Sequence, residues 1–539
     1  MTQPDQTPIF DIPPASQPVR RWQMIAFWVA IVLGTILRFA ALGKVPAGVL
    51  PDEASTGVDA LSIWQSGMDR WGNHWPIWFP AWGSGMNMLF TYIAAPVVGI
   101  FGLSTVSLRA VEAFFGVLTL VTAYHAGRLW FGRSAGLVVL CLLAFLPWHV
   151  MTSRFTLDSN LVPLLFTLGL ITLHQALTRG GRWPLLAPLP WALCVYAYPV
   201  SLQAMLISGL AIAVIERRTI RPRLGWWAAG VAIGIAIDIP FLLFIAKNQL
   251  HLQSLPLESH LPFSVPLLAA SRLSQIGGAA YNIVFDNLTF VLSGFRDGNV
   301  QHQSIYFPAL SAPMPYLIAM GTIALAWDAV RTRRVNPILV VVLTVVAPIV
   351  TLPLNVTRLN WFYIPALMVV ANLVNLRLDR QTAVTARLGR LWLIATGGYI
   401  ALFLAMFYPY YFIRYNDEIQ IEDVRLGNGF RVGLEDAMRR ETALAAPDEP
   451  MLAAIGTVHP YLYPLFYGLS DLDRFRATRQ MQIEKGVFKV SSFDRFYFER
   501  DALPAGKSFV FVTRSDRLPC AAPEIAYAGP LWTVGRCRP

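Results

Sequence analysis

Apolar runs close to the roughly 20 residues that cross a bilayer recur along the first 412 positions, separated by short polar, glycine- or arginine-containing breaks. They predict eleven helices, over 22–42, 109–127, 135–149, 161–178, 185–199, 200–215, 225–246, 308–329, 336–353, 360–376 and 391–412. Beyond Arg414 the long runs stop, charges thicken, and short alternating stretches such as Ser508 to Thr513 predict strands, so a small α/β domain is expected up to Pro539. Within it, the aromatic stretch Tyr461 to Tyr467 reads as a buried strand and turn, with a sugar-stacking platform as the alternative.

One further run, Met86 to Phe101, is apolar enough to tempt a twelfth crossing. With eleven spans and a cytoplasmic N-terminus, the clusters Arg128/Arg133, Arg179/Arg182, Arg217 to Arg223, Arg331 to Arg334 and Arg377 to Arg390 all face the cytoplasm. A crossing at 86–101 would invert every later cluster, so this run is expected to lie at the outer surface or dip in without crossing. The parity puts the C-terminal domain outside. The layout is a cytoplasmic segment 1–21, a membrane domain 22–412 with outer loops 43–108 and 247–307, and an outer domain 413–539. No cleavable signal peptide is evident, because the run after Arg20-Arg21 is too long for one.

Composition agrees: 55% of residues are hydrophobic, only 14% are charged, and mean hydropathy is +0.50. The net charge of +11 comes from arginines between spans rather than from a basic face, which points to topology and excludes a nucleic-acid partner. Cys141 and Cys194 fall in apolar runs and read as inert packing, whereas Cys520 and Cys537 could pair in an oxidising compartment.

Charged residues at the outer ends carry the candidate chemistry. Pro51-Asp52-Glu53 follows the first span; its carboxylates read either as a helix cap or as a general base for an acceptor hydroxyl or amine. Between the third and fourth spans, Arg154 and Asp158 are four apart, either a helix ion pair or contacts to substrate, phosphate or metal. Arg358, with Tyr363 behind it, sits at an outer mouth where a guanidinium either snorkels to headgroups or clamps a lipid phosphate. His302 reads as a cation ligand or substrate contact, with an ordinary loop histidine as the alternative. Arg109 and Glu112, three apart, suggest a bracing pair, and Asp238 is an acid within a span, either functional or hydrating a kink.

The order and spacing of these groups resemble the multi-spanning glycosyltransferases of the protein mannosyltransferase and aminoarabinose transferase type, the GT-C fold. The shared features are the Asp52-Glu53 pair after span one, Phe101 to Ser104 leading to Arg109 and the span with Gly116 to Thr119, the Ser153-Arg154 to Asp158 segment, and Arg358 with Tyr363 and Pro365. The likeness covers 22–412, and the tail from Gly433 looks like the outer domain of some bacterial members. It implies a bacterial plasma-membrane enzyme that takes a sugar from a polyprenyl-phosphate donor, with membrane lipid around it and a protein, lipid or glycan acceptor. It also implies Asp52 as base, Glu53 as assistant or ligand of a divalent cation (Mg, Mn or Zn), and Asp158, Arg154, Arg358 and Tyr363 at the substrate. The chain departs from some relatives in having no acid in His74 to Met88, where those place a metal-binding glutamate. A transporter or flippase of lipid-linked sugar and a non-catalytic envelope scaffold are the alternatives. The first would place its charges near mid-bilayer rather than at one edge.

Overall fold

The computed structural model describes residues 20–538 except 82–84, 249, 251, 253–260, 268–280, 374–382, 427–428, 458 and 485–486. Most of the N-terminal segment 1–21, the end of the span expected at 360–376, and Arg377 and Arg380 therefore lie outside the described residues.

The membrane part is a helical bundle. Its helices are α1 (Arg21–Phe39), α2 (Pro51–Ser66), α3 (Leu89–Phe101), α4 (Thr105–Phe131), α5 (Arg133–Phe145), α6 (Pro147–Thr152) and α7 (Val162–Thr178). There follow α8 (Trp183–Leu186), α9 (Leu189–Ala197), α10 (Ser201–Ile215), α11 (Arg217–Ile220), α12 (Leu224–Asn248) and α13 (Tyr281–Leu292). The series ends with α14 (Met314–Thr332), α15 (Pro337–Leu343), α16 (Val346–Thr351), α17 (Tyr363–Asn372), α18 (Ala383–Ile413) and α19 (Tyr415–Leu426). Among the described residues, five stretches are long and apolar enough to cross a bilayer: 21–39, 105–131, 158–178, 217–248 and 394–413. Others are shorter or broken; the runs expected at 185–199 and 336–353 are each two helices. Large apolar side chains such as Trp28, Leu210, Trp327 and Ile394 face outward, as on a surface solvated by lipid tails. This is a multi-pass membrane protein.

The loop expected after the first span is itself ordered. Pro51 starts α2, whose acids Asp52 and Glu53 favour the exposed amides of the first turn, and Gly67 ends it in the left-handed region at φ 66°. Strands β1 (Trp78–Phe79) and β2 (Met86–Asn87) pair antiparallel, and α3 packs chiefly along α2.

Two buried arginines fasten α1. Arg38 donates to the carbonyls of Gly34, Leu143 and Ala144 and contacts His149 Nδ1 at 2.5 Å. Arg154 donates to the carbonyls of Leu37, Arg38, Ala40 and Val45, capturing the unsatisfied C-terminal end of α1.

The tail carries α20 (Leu434–Leu444), β3 (Met451–Ala454), α21 (Leu462–Phe466), α22 (Leu472–Thr478) and β4 (Gln480–Glu484). It continues through β5 (Val487–Phe493), β6 (Phe496–Tyr497), β7 (Phe509–Arg514), β8 (Glu524–Ala528) and β9 (Trp532–Cys537). Its sheet has the order β4-β5-β6-β3-β7-β9-β8, with β3 parallel to both neighbours and Met451 opposite Val510. Cys520 and Cys537 form a disulfide. The stretch Tyr461 to Tyr467 is not the expected strand: Leu462–Phe466 is a helix turned inward, with all five residues buried.

Candidate active site at the tail-bearing end of the bundle

Asp52 sits partly buried in the first turn of α2. The residue after it explains why the helix starts here. Glu53 Oε1 accepts from Arg109 Nε (2.8 Å) and the Thr156 amide (2.9 Å), while Oε2 accepts from Arg109 Nη2 (2.7 Å) and the Leu50 amide (3.1 Å). Four donors meet the four lone-pair positions of one carboxylate, so in this geometry Glu53 offers nothing to a metal or a migrating proton. Arg109 also donates to the carbonyls of Pro46 and Gly48, and Arg154 to that of Val45, so two arginines from other segments hold the turn leading to Asp52.

The bracing pair expected between Arg109 and Glu112 is absent, because Arg109 is spent on Glu53. Glu112 is buried with Oε2 lacking a hydrogen-bond partner among the described residues. Arg154 and Asp158 do not pair either. The four-residue spacing assumes a helix, but Leu157 is extended (φ −148°, ψ 135°), and Arg154 points to backbone carbonyls instead of substrate.

Asp158 opens a 3-10 turn (Asp158–Leu161) and is buried. Its Oδ1 accepts from the Ser159 amide at 2.8 Å, and its Oδ2 accepts from both the amide and the side-chain Nδ2 of Asn87. Asn87 was not singled out in the sequence; its only signal there was an amide between two methionines in an apolar run. Its Oδ1 is buried without a partner among the described residues.

Asn360 ties the third segment in. Its Nδ2 donates to the Ser159 carbonyl at 3.1 Å, and its Oδ1 accepts from Trp148 Nε1 at 3.2 Å. Two residues earlier, Arg358 is partly exposed, with Nη1 donating to the Pro353 carbonyl. Tyr363 is buried against Trp148 (ring centroids 4.4 Å apart) and Phe295 (5.2 Å), too deep to be open to the aqueous side.

His302 is a clip. Its Nδ1 lies 3.2 Å from Asp297 Oδ2 and its Nε2 2.8 Å from Thr357 Oγ1, fastening the 297–302 loop beside Arg358. Burial tends to raise the Asp297 carboxyl, but His302 and the amides of Val356 and Asn299 hold it below its ordinary value. With both His302 nitrogens and both Glu53 oxygens engaged, the cation ligands expected from sequence do not fit a divalent ion. Among the described residues no group of three or more His, Cys, Asp or Glu side chains is placed to hold one. Asp238, within α12, is remote in the chain from all of these segments.

Glu53, Thr156, Asp158, Asn87, Ser159 and Asn360 thus belong to one web of hydrogen bonds that joins the start of α2, the α6–α7 connection and the segment carrying Arg358. A second polar cluster lies farther along α2: Arg70 donates to Asp59 (2.9 Å) and to the Ser55 hydroxyl and carbonyl, and burial raises the Asp59 carboxyl to about 7 despite it.

Residues 75–244 match the family described as dolichyl-phosphate-mannose-protein mannosyltransferase. No curated protein sequence matches the chain significantly. Among solved structures, ArnT from Cupriavidus metallidurans bound to undecaprenyl phosphate is similar at TM-score 0.56 and 16% identity, over 96% of this chain and 98% of that one. The apo state of the same protein matches at TM-score 0.56 and 14% identity, over 96% and 97%. The chain thus shares the GT-C fold of ArnT, and residues 75–244 are similar to the protein-mannosyltransferase family.

Proposed function

We propose that the chain is a membrane glycosyltransferase that moves a sugar from a polyprenyl-phosphate donor to an acceptor nucleophile on the extracytoplasmic side. The observation that supports this reading is the web of hydrogen bonds that joins the start of α2, where Asp52 lies, to Asp158 and to the segment carrying Arg358. The bound undecaprenyl phosphate of the ArnT structure supports the donor class. The arginine clusters between spans and the disulfide in the tail support an outward-facing tail.

In this reading Asp52 removes the proton from the attacking hydroxyl or amine. The nucleophile forms its bond to the anomeric carbon as the bond to the phosphate oxygen breaks, and attack from the opposite face inverts that centre. Arg358 meets the charge that builds on the departing lipid phosphate. Glu53 and Arg109 set the position of Asp52, and Asp158 orients substrate through the oxygen lone pair that Asn87 and Ser159 leave over. Arg154, bound to the Val45 carbonyl, and Tyr363, packed on Trp148, support these segments from within.

The test is transfer from a panel of radiolabelled polyprenyl-phosphate sugars by purified protein in nanodiscs, comparing wild type with Asp52→Asn. Loss of a general base lowers turnover by about 10²–10⁴-fold. Wild-type turnover in Asp52→Asn refutes the base assignment. Wild-type protein that moves the lipid across vesicles without transferring sugar refutes the enzyme.

A further inference from the structure

The tail grips α2 at three points along its length. Just before α2, Gly48 lies so close to the Phe430 carbonyl that an added Cβ would fall 2.1 Å from its oxygen. In mid-helix, Gly57 makes room for the Phe466 ring of α21, which a Cβ would approach to 2.8 Å. At the far end, Arg476 of α22 donates through one nitrogen, Nη2, to Ser62 Oγ (2.5 Å), Ser66 Oγ (3.4 Å) and the Asp69 carbonyl (3.1 Å). Ser62 and Ser66 are four apart and share one helix face, so a single guanidinium spans a full turn of α2 and the loop that follows. Trp71 of that loop is sandwiched into the tail as well, stacked on Phe488 at 4.6 Å and edge-on to Tyr461 at 5.6 Å.

We infer that the tail is a positioning element for the transfer reaction, with Arg476 acting through α2 on the carboxylate at its other end. This rests on the transferase reading above. A helix held at both ends and in the middle transmits a displacement at Ser62 to Asp52 as a rigid body, because its backbone hydrogen bonds resist bending within 16 residues. The reacting carboxylate and the nucleophile must align to within a few tenths of an ångström, so a slackened α2 costs turnover rather than donor affinity. Donor affinity instead depends on the Arg358 segment, which Arg476 does not touch.

Full-length Arg476→Ala, Arg476→Lys and Ser62→Ala are compared with wild type for kcat and donor KM. The expected result is a roughly 10-fold lower kcat in Arg476→Ala at unchanged donor KM, partial recovery in Arg476→Lys, and a smaller loss in Ser62→Ala that does not add to that of Arg476→Ala. Wild-type kcat in Arg476→Ala overturns the inference, as does a loss that matches the loss of folded protein by size-exclusion chromatography while Ser62→Ala stays at wild type. Absence of transfer by wild type itself refutes the underlying reading instead, and the two failures are therefore distinct.

Discussion

Replacing Arg109 with methionine keeps much of the side chain's volume and removes its charge. The wild-type pair is fully buried, with both side chains at most 1% exposed and the guanidinium engaged with both oxygens of Glu53. Removing one member of such a pair leaves the other's charge stranded, at a cost of about 3–5 kcal/mol. The lost bonds to the Pro46 and Gly48 carbonyls add roughly 0.5–1.5 kcal/mol each. Glu53→Gln is costly for a complementary reason: its amide nitrogen, in place of one carboxylate oxygen, would face the two donors that oxygen now accepts from. The double variant leaves neither charge buried, so its loss falls short of the sum of the singles by about 1–3 kcal/mol. Unfolding titrations in mixed micelles of graded sodium dodecyl sulfate, followed by tryptophan fluorescence, measure all four proteins. Single variants within about 0.5 kcal/mol of wild type, or strictly additive losses, would show that the pair does not hold the start of α2, and the positioning argument for Asp52 would fail with it.

Other outcomes follow from particular contacts. Gly48→Ala, at φ 80° and against the Phe430 carbonyl, destabilises by at least about 1–2 kcal/mol and loosens the tail, seen as faster proteolysis between 426 and 433. His459 is 1% exposed, and burial beside Arg70 lowers its imidazole to about 3. Its folded value lies below the unfolded one near 6.5, so its contribution is present above that pH and is lost as pH falls toward 3, by up to about 1.4 kcal/mol per unit. His459→Gln should flatten the thermal-stability profile between pH 6.5 and 4. Arg358→Gln should raise donor KM several-fold with tail docking intact, measured by initial rates against donor concentration. Reducing the Cys520–Cys537 disulfide, which closes a 17-residue separation, should cost the tail about 3 kcal/mol, read by its thermal unfolding with and without reductant.

Much of the bundle was legible because bilayer length and hydropathy are strong constraints, and the tail because alternation at Ser508 to Thr513 marks a strand that forms as β7. Partner choice was less legible. The Arg109–Glu112 and Arg154–Asp158 pairings follow from helical spacing, yet both arginines bind partners more than 50 residues away in sequence. Local spacing carries no information about such contacts, and the extended Leu157 breaks the helix that one pairing presumed. Tyr461 to Tyr467 failed for another reason: a short continuous apolar run fits a buried strand and a buried helix equally well. The start of α2 was readable as a possible cap from Pro51 and two acids, but the saturation of Glu53 by four donors emerges only when three distant segments meet.

The Arg38 contacts bear on how the chain is made. Two of its carbonyl partners, Leu143 and Ala144, are 105 and 106 residues downstream. At ribosomal rates of about 5–20 residues per second, the first helix waits roughly 5–20 s before those acceptors exist. Throughout that interval a cation must be sheltered by water or headgroups, so α1 enters the membrane unfinished, and its final seating is an event of late synthesis.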